Sequence, residues 1–178
     1  MIKFPKKTFK IIYCDPAWKF KTWSKKGNKK SPKYDLMEIE DIKKLPVNKI
    51  ADKNCFLFIW VTYPLLQEGL DTIKAWGFNY RTCAFSWIKK NKKAETLFMG
   101  LGYYTRSNSE ICLLATKGKP KRVSNNVRQV VIDRIREHSR KPDCVRNKIV
   151  ELCGDLSRIE LFARQKGFKG WEAWGNEI

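Results

Sequence analysis

Asp15, Pro16, Ala17 and Trp18 end the apolar run FKIIYC with a carboxylate, a rigid imino acid, a small residue and a large aromatic ring. A strand that stops this way offers two hydrogen-bond acceptors, the Asp15 carboxylate and a backbone carbonyl whose direction Pro16 constrains. The flat face of Trp18 lies next to them. The set suits an aromatic ring that carries an amino group, such as adenine, with the acceptors taking the amine and the ring stacking. The same residues also read as ordinary turn chemistry, Asp-Pro ending a strand and Trp18 covering the core. On their own they leave both readings open.

Other chemistries are excluded more sharply. The chain has no GxxxxGK[ST] phosphate loop, no GxGxxG, no GxSxG elbow and no HExxH, which removes most NTPase, hydrolase and zinc-protease readings. Six cysteines, at 14, 55, 83, 112, 144 and 153, form no CxxC pair, and there is a single histidine, His138. This predicts reduced cysteines in a cytosolic protein, and no metal site. No run of about 18 apolar residues is present, so no membrane span is expected, and the N-terminus lacks an apolar signal region.

Charge points to a polyanionic partner. The formal net charge is +19, from 37 Lys and Arg against 18 Asp and Glu. Neutralising phosphates releases condensed counterions, so clustered cations favour nucleic acid. Residues 19–33 carry seven lysines and no acid, with Phe20 and Trp23 interleaved; residues 117–148 carry eleven Lys and Arg against Asp133, Glu137 and Asp143. A solvated lysine-rich surface is the blander alternative.

These groups need a scaffold. FKIIYC (9–14), CFLFIWVT (55–62), YRTCAFSWIK (80–89), SEICLLAT (109–116), VVIDRI (130–135) and RIELFA (158–163) read as strands. The second is a continuous apolar run and reads as a central strand covered on both faces. Helices are expected over residues 35–45, from Pro64 to Trp76, and over 141–154 between Pro142 and Gly154. Residues 15–33 and 90–108 are long loops. The alternation predicts one α/β domain over residues 1–178 with a mostly parallel sheet flanked by helices. Ligands in such sheets sit beyond the carboxyl ends of strands, which singles out the loops starting at Asp15, Pro64, Lys89, Lys117 and Arg164.

DPAW after a strand, FLFIWVT, GYYTRSNSE, HSRKPD, IELFAR and GWEAWGNE occur in that order from about Phe9 to Glu177. This collinear set resembles the MT-A70 family of S-adenosylmethionine-dependent adenine N(6)-methyltransferases, and is most similar to its phage and bacterial DNA adenine methyltransferase branch. The resemblance implies a Rossmann-like class I methyltransferase fold in the permuted β-class motif order. It implies S-adenosylmethionine as methyl donor and S-adenosylhomocysteine as product. It assigns the target amine to Asp15 and the Pro16 carbonyl, with Trp18 stacking on the flipped base. It assigns cofactor contacts to Asp15, Ser139, Lys141, Arg164, Lys166, Gly167, Asn176 and Glu177, with Lys141 meeting the methionine carboxylate. Substrate contacts fall to Tyr34, Trp87, Lys89, Arg106, Asn108 and Glu110.

The implied partner is nucleic acid, DNA ahead of RNA, with either a homodimer or a heteromeric partner allowed. The family usually has a second proline where Ala17 stands, so the turn is expected to keep its acceptors and lose rigidity. No strong base is expected, since the amine's proton becomes acidic only as its new bond forms. The competing readings are an RNA adenine methyltransferase of the same family and an inactive nucleic-acid-binding subunit.

Overall fold

The computed structural model describes residues 3–19, 36–102, 104–137 and 140–178. Among the described residues seven strands form: β1 (Phe9–Cys14), β2 (Ala51–Val61), β3 (Asn79–Lys90), β4 (Glu110–Lys117), β5 (Val130–Arg134), β6 (Arg158–Leu161) and β7 (Glu172–Trp174). The helices are α1 (Ile39–Lys43), α2 (Val47–Ile50), α3 (Leu66–Ala75) and α4 (Cys144–Cys153). All seven strands join one sheet in the order β5-β3-β4-β2-β1-β6-β7. The pairs β1–β2, β1–β6, β3–β5 and β6–β7 are parallel, and β4 runs antiparallel to both β2 and β3. The architecture is thus the expected mostly parallel α/β sheet flanked by helices.

Side-chain alternation along β2 explains its central place. Cys55, Leu57, Ile59 and Val61 pack on one face with residues of α1, α2 and α3; Phe56, Phe58 and Trp60 pack on the other with α4. A strand sheathed on both sides has no polar face, which is why it reads as an unbroken apolar run. Each fully buried side chain of this size contributes roughly 1.5–3 kcal/mol.

The reversal of β4 changes one expectation. Its carboxyl end, Lys117, pairs with Cys55 near the start of β2, at the opposite edge from the ligand-binding ends. There the Lys117 ammonium donates to Asn48 and to the Ala51 carbonyl, capping α2. The loop after Lys117 therefore does not belong with those after Asp15 and Lys89, and Glu110, the first residue of β4, takes that place. β7 and α2 were not legible because they are three and four residues long, too short to show a period. Pro64 lies in a single 3-10 turn, Tyr63–Leu65, that leads into α3.

Cys14, Cys55, Cys112 and Cys153 are buried, Cys83 is half-buried and Cys144 is exposed; all six are free thiols. Burial pushes Cys55 and Cys153 up to about 12. Native protein treated with a thiol-reactive chromophore is expected to label Cys144 first, with the four buried thiols reacting only on denaturation. A Cys144→Ser variant that keeps the fast phase would contradict this packing.

No helix among the described residues is long and apolar enough to cross a membrane.

Candidate active site

Sheet register brings distant residues to one level. Cys14 pairs with Ile59 of β2 and with Leu161 of β6, so Asp15 emerges between Trp60 and Phe162. Val61 pairs with Ile111, and Trp87 with Glu110. Asp15, Glu110 and the end of β3 therefore line the same edge of the sheet. The chain winds from β1 towards β5 on one side and later returns to place β6 and β7 on the other. The cleft beside β1 and β6 is thus a topological switch point, where open α/β sheets bind ligands.

Four charged side chains form a continuous chain at this edge. Lys141 Nζ lies 2.7 Å from Asp15 Oδ2 and 3.2 Å from Glu110 Oε2, and Lys89 Nζ lies 2.5 Å from Glu110 Oε1. Lys141 and Glu110 are buried, whereas the Asp15 side chain keeps 24% of its surface exposed. Burial opposes the charge of Lys141, yet Asp15 and Glu110 outweigh it and hold the ammonium above its usual value. Burial alone would raise Glu110, but Lys141 and Lys89 on either side hold it below the usual carboxylate range. For Asp15, burial wins over the Lys141 attraction and raises the carboxyl. Alternating signs make the chain self-neutralising, which is what lets it exist in a desolvated place.

Trp60 ties this chain to the sheet. Its carbonyl accepts the Trp18 indole N–H at 3.0 Å, its own indole donates to the Tyr13 hydroxyl at 2.7 Å, and its ring lies 5.6 Å from Lys141 Nζ. The Pro16 carbonyl accepts the Trp18 N–H at 2.8 Å, a three-residue turn that turns Trp18 back onto the core. Ala17 is held from the other side, its carbonyl accepting the Met37 N–H at 2.9 Å. The position that is usually proline in the family is therefore fixed by a backbone bridge to residue 37.

A cleft of about 290 Å³ opens beside Asp15, Ala17, Phe162, Arg164, Trp174 and Asn176. A second, of about 200 Å³, reaches Tyr13, Arg140, Lys141, Arg146 and Glu160, and the two share Asp15, Phe162, Arg164 and Glu177. Together they approach the size of a small-ligand site. Arg164 and Glu177 form an ion pair across the shared wall at 3.5 Å. Phe162, at the end of β6, takes φ 59°, a left-handed conformation uncommon for an aromatic residue. Gly175 packs so closely that a Cβ would stand 2.3 Å from the Ala163 carbonyl oxygen; only glycine lets the segment after β7 close the wall.

The arginines of residues 134–146 are largely committed to this scaffold. Arg146 grips Glu160 in a bidentate pair at 2.7 Å for both bonds, and it also meets Asp143 at 3.0 Å. Arg136 and Arg140 bind the same Asp143, and Arg136 donates to the Lys141 carbonyl at 2.6 Å. Arg134 pairs with Glu95. These four residues belong to the basic cluster counted above over residues 117–148, and each of them holds an acid of its own chain. The bidentate geometry is favourable for such buried pairs, and it fixes the backbone on either side of Lys141.

The other sequence-predicted residues distribute unevenly. Asp15, Ala17, Lys141, Arg164, Asn176 and Glu177 line the clefts, while Lys166 and Gly167 are exposed beyond them. Trp87 is 1% exposed in the core, its indole donating to the Asp133 carbonyl at 3.1 Å; it supports Lys89, 5.1 Å above its ring, and does not reach the cleft. The Asn108 amide donates to the Lys89 carbonyl and accepts the Lys89 N–H, both at 2.9 Å, closing the base of its loop. Arg106 is exposed on that loop. Tyr34, Ser139 and the lysine-rich stretch 20–33 lie outside the described residues. Tyr13, Arg146 and Glu160, which line the second cleft, and Trp60, buried behind it against Lys141, were not singled out, because their places depend on register and helix packing and not on any local motif.

An acid at the switch point, an ammonium against it and a cleft running to aromatic and ionic walls stand where open α/β sheets bind ligands. The MT-A70 family model matches residues 9–177. The chain is 33% identical to the type II methyltransferase M.MunI of Mycoplasma sp, covering 99% of this chain and 80% of that protein. It is 27% identical to an N(6)-adenosine-methyltransferase MT-A70-like protein of Arabidopsis thaliana and 26% to the N(6)-adenosine-methyltransferase catalytic subunit METTL3 of Homo sapiens. Each of those two alignments covers 96% of this chain; the chain spans only 24% and 28% of those proteins. The chain belongs to the MT-A70 family of adenine N(6)-methyltransferases, which use S-adenosylmethionine as methyl donor.

The cleft suits that donor in chemistry. Asp15 and Lys141 would present opposite charges to the ammonium and carboxylate of a methionine moiety, and Phe162 and Trp174 line the cleft beside the Arg164–Glu177 pair.

Proposed function

We propose that the chain transfers a methyl group to the exocyclic amine of adenine in DNA. The observation that carries this reading is the Asp15 carboxylate, part exposed at the switch-point cleft and held at 2.7 Å by the buried Lys141. DNA is favoured over RNA because the bacterial relative, matched over 80% of its length, is a type II methyltransferase. The eukaryotic N(6)-adenosine-methyltransferases correspond to this chain over only about a quarter of theirs.

S-adenosylmethionine, when bound, supplies an electrophilic methyl group on a sulfonium. Lys141 would hold the methionine end, with Arg164, Asn176 and Glu177 towards the adenosine end. Asp15 and the second lone pair of the Pro16 carbonyl accept from the target amine. Adenine's amino lone pair is delocalised into the ring, so the nitrogen is a weak nucleophile. Fixed acceptors orient it and stabilise the positive charge that grows on it, which is positioning plus electrostatic preorganisation. Trp18, anchored through its indole N–H, offers a face to the base, worth about 1–3 kcal/mol as a stacking platform. An inactive binding subunit would have no use for the Asp15–Lys141 pair.

Methyl transfer from a radiolabelled donor to DNA and RNA oligonucleotides of matched sequence tests the reading. Label on adenine N6 of DNA, at a rate exceeding that on RNA, is the expected result. Label on RNA alone would overturn the choice of DNA and leave the adenine chemistry standing.

A further inference from the structure

The loop between β3 and β4 carries an unusual tip. Leu97, Met99, Leu101 and Tyr104 are 59%, 69%, 78% and 99% exposed. Four large apolar or aromatic side chains exposed within eight residues concentrate apolar surface on one loop, of the kind that marks an interaction site. The loop under them is firmly built. Phe98 N–H donates to the Lys89 carbonyl at 2.8 Å, Gly100 N–H to the Ser107 carbonyl at 2.7 Å, and the Asn108 amide ties both sides to Lys89. Gly102, at φ +67°, makes the turn; a Cβ there would stand 1.7 Å from the Thr105 carbonyl oxygen. The loop is rooted in the site, since Lys89 and Glu110 are consecutive members of the charged chain that ends at Asp15.

We infer that Leu101, with Met99 beside it, is a wedge that enters the base stack of duplex DNA where the target adenine leaves it. The inference rests on the DNA reading above and deepens it. Asp15 sits in a cleft at the end of a strand, out of reach of a base that stays stacked, so the adenine must be extruded. Proteins that unstack duplexes insert apolar side chains such as Leu and Met between base steps. The charge around the tip fits the same partner. Lys92, Lys93 and Arg106 flank it, and the loop's one acid, Glu95, is neutralised by Lys90 and Arg134. Leu101 is a positioning residue: it holds the gap open while Asp15 receives the base.

The test compares two duplexes, one with the target adenine paired to thymine and one with it opposite an abasic site, where extrusion is already easy. Leu101→Ala is expected to lower kcat/KM at least tenfold on the paired duplex and by less than twofold on the abasic one. Leu101→Met should restore most of the loss. Equal losses on both duplexes, or no loss on either, would overturn the wedge. So would a change of oligomeric state in the Leu101→Ala variant, which would assign the tip to a protein interface. Wild-type protein inactive on both duplexes would instead reject DNA as the substrate, before any variant is compared.

Discussion

Asp15→Asn is expected to lower methyl transfer by about 10²–10³-fold, the cost of losing one preorganised electrostatic contact at a transition state, with little change in thermal stability. The activity loss follows from chemistry. An asparagine keeps an acceptor oxygen but not the negative charge that stabilises a nitrogen becoming positive. The small stability change follows from the raised carboxyl of Asp15. A group whose folded-state value is raised supports the fold when protonated and loses that support as pH rises through the raised value. At neutral pH the burial cost of the ionised Asp15 carboxylate offsets what its pair with Lys141 contributes, and Lys141 retains Glu110 at 3.2 Å once Asp15 is neutral. The same shift places the acid limb of wild-type activity above the ordinary aspartate range, and the Asn variant should lack that limb. A pH–rate series with melting curves on both proteins measures all three effects. Near-normal activity in Asp15→Asn would remove Asp15 from the chemistry.

Glu110→Gln is expected to do the opposite, acting first on stability. Glu110 sits between two ammonium groups, with its side chain 9% exposed and those of Lys141 and Lys89 8% and 15% exposed. Removing its charge leaves Lys89 without its carboxylate and Lys141 with only Asp15. Breaking a buried pair in this way costs about 3–5 kcal/mol, or a fall in Tm of roughly 6–20 °C for a chain of this size. The pH dependence has the usual carboxylate sign. Glu110 is held below its ordinary value, so its contribution is present above that value and fades as pH falls through the lower folded-state one. Calorimetry at neutral pH and again in acid should show the wild type and Glu110→Gln converging as the pH drops. Equal melting temperatures at neutral pH would mean that the charged chain does not hold this edge of the sheet together.

The elements that carried strong periodic or apolar signals were legible before any coordinates. β2 is legible because burial on both faces leaves it no polar residues, and β1 because Asp15 and Pro16 stop it sharply. The direction of β4 was not legible, because an apolar strand of eight residues looks the same run either way. That reversal decides which of its ends faces the cleft, so the physical reasoning from strand ends pointed to Lys117 while the motif resemblance pointed to Glu110. The site divided likewise. Asp15, Lys141, Arg164 and Glu177 stand in short local motifs and were named from them. Trp60 and Arg146 reach the site through register and helix packing across 42 or more residues of sequence, which no local pattern records. Counting charge was the weakest guide, since Arg134, Arg136, Arg140 and Arg146 hold acids of their own chain.

Base-resolved detection of N(6)-methyladenine in DNA from cells producing the chain reads adenine methylation at the Asp15 site in one measurement. Wild-type protein should leave methylated adenines within a recurrent short sequence, absent from cells producing Asp15→Asn at the same level. Unmodified adenines in both, with soluble and folded protein present, would mean that the chain does not methylate adenine in DNA.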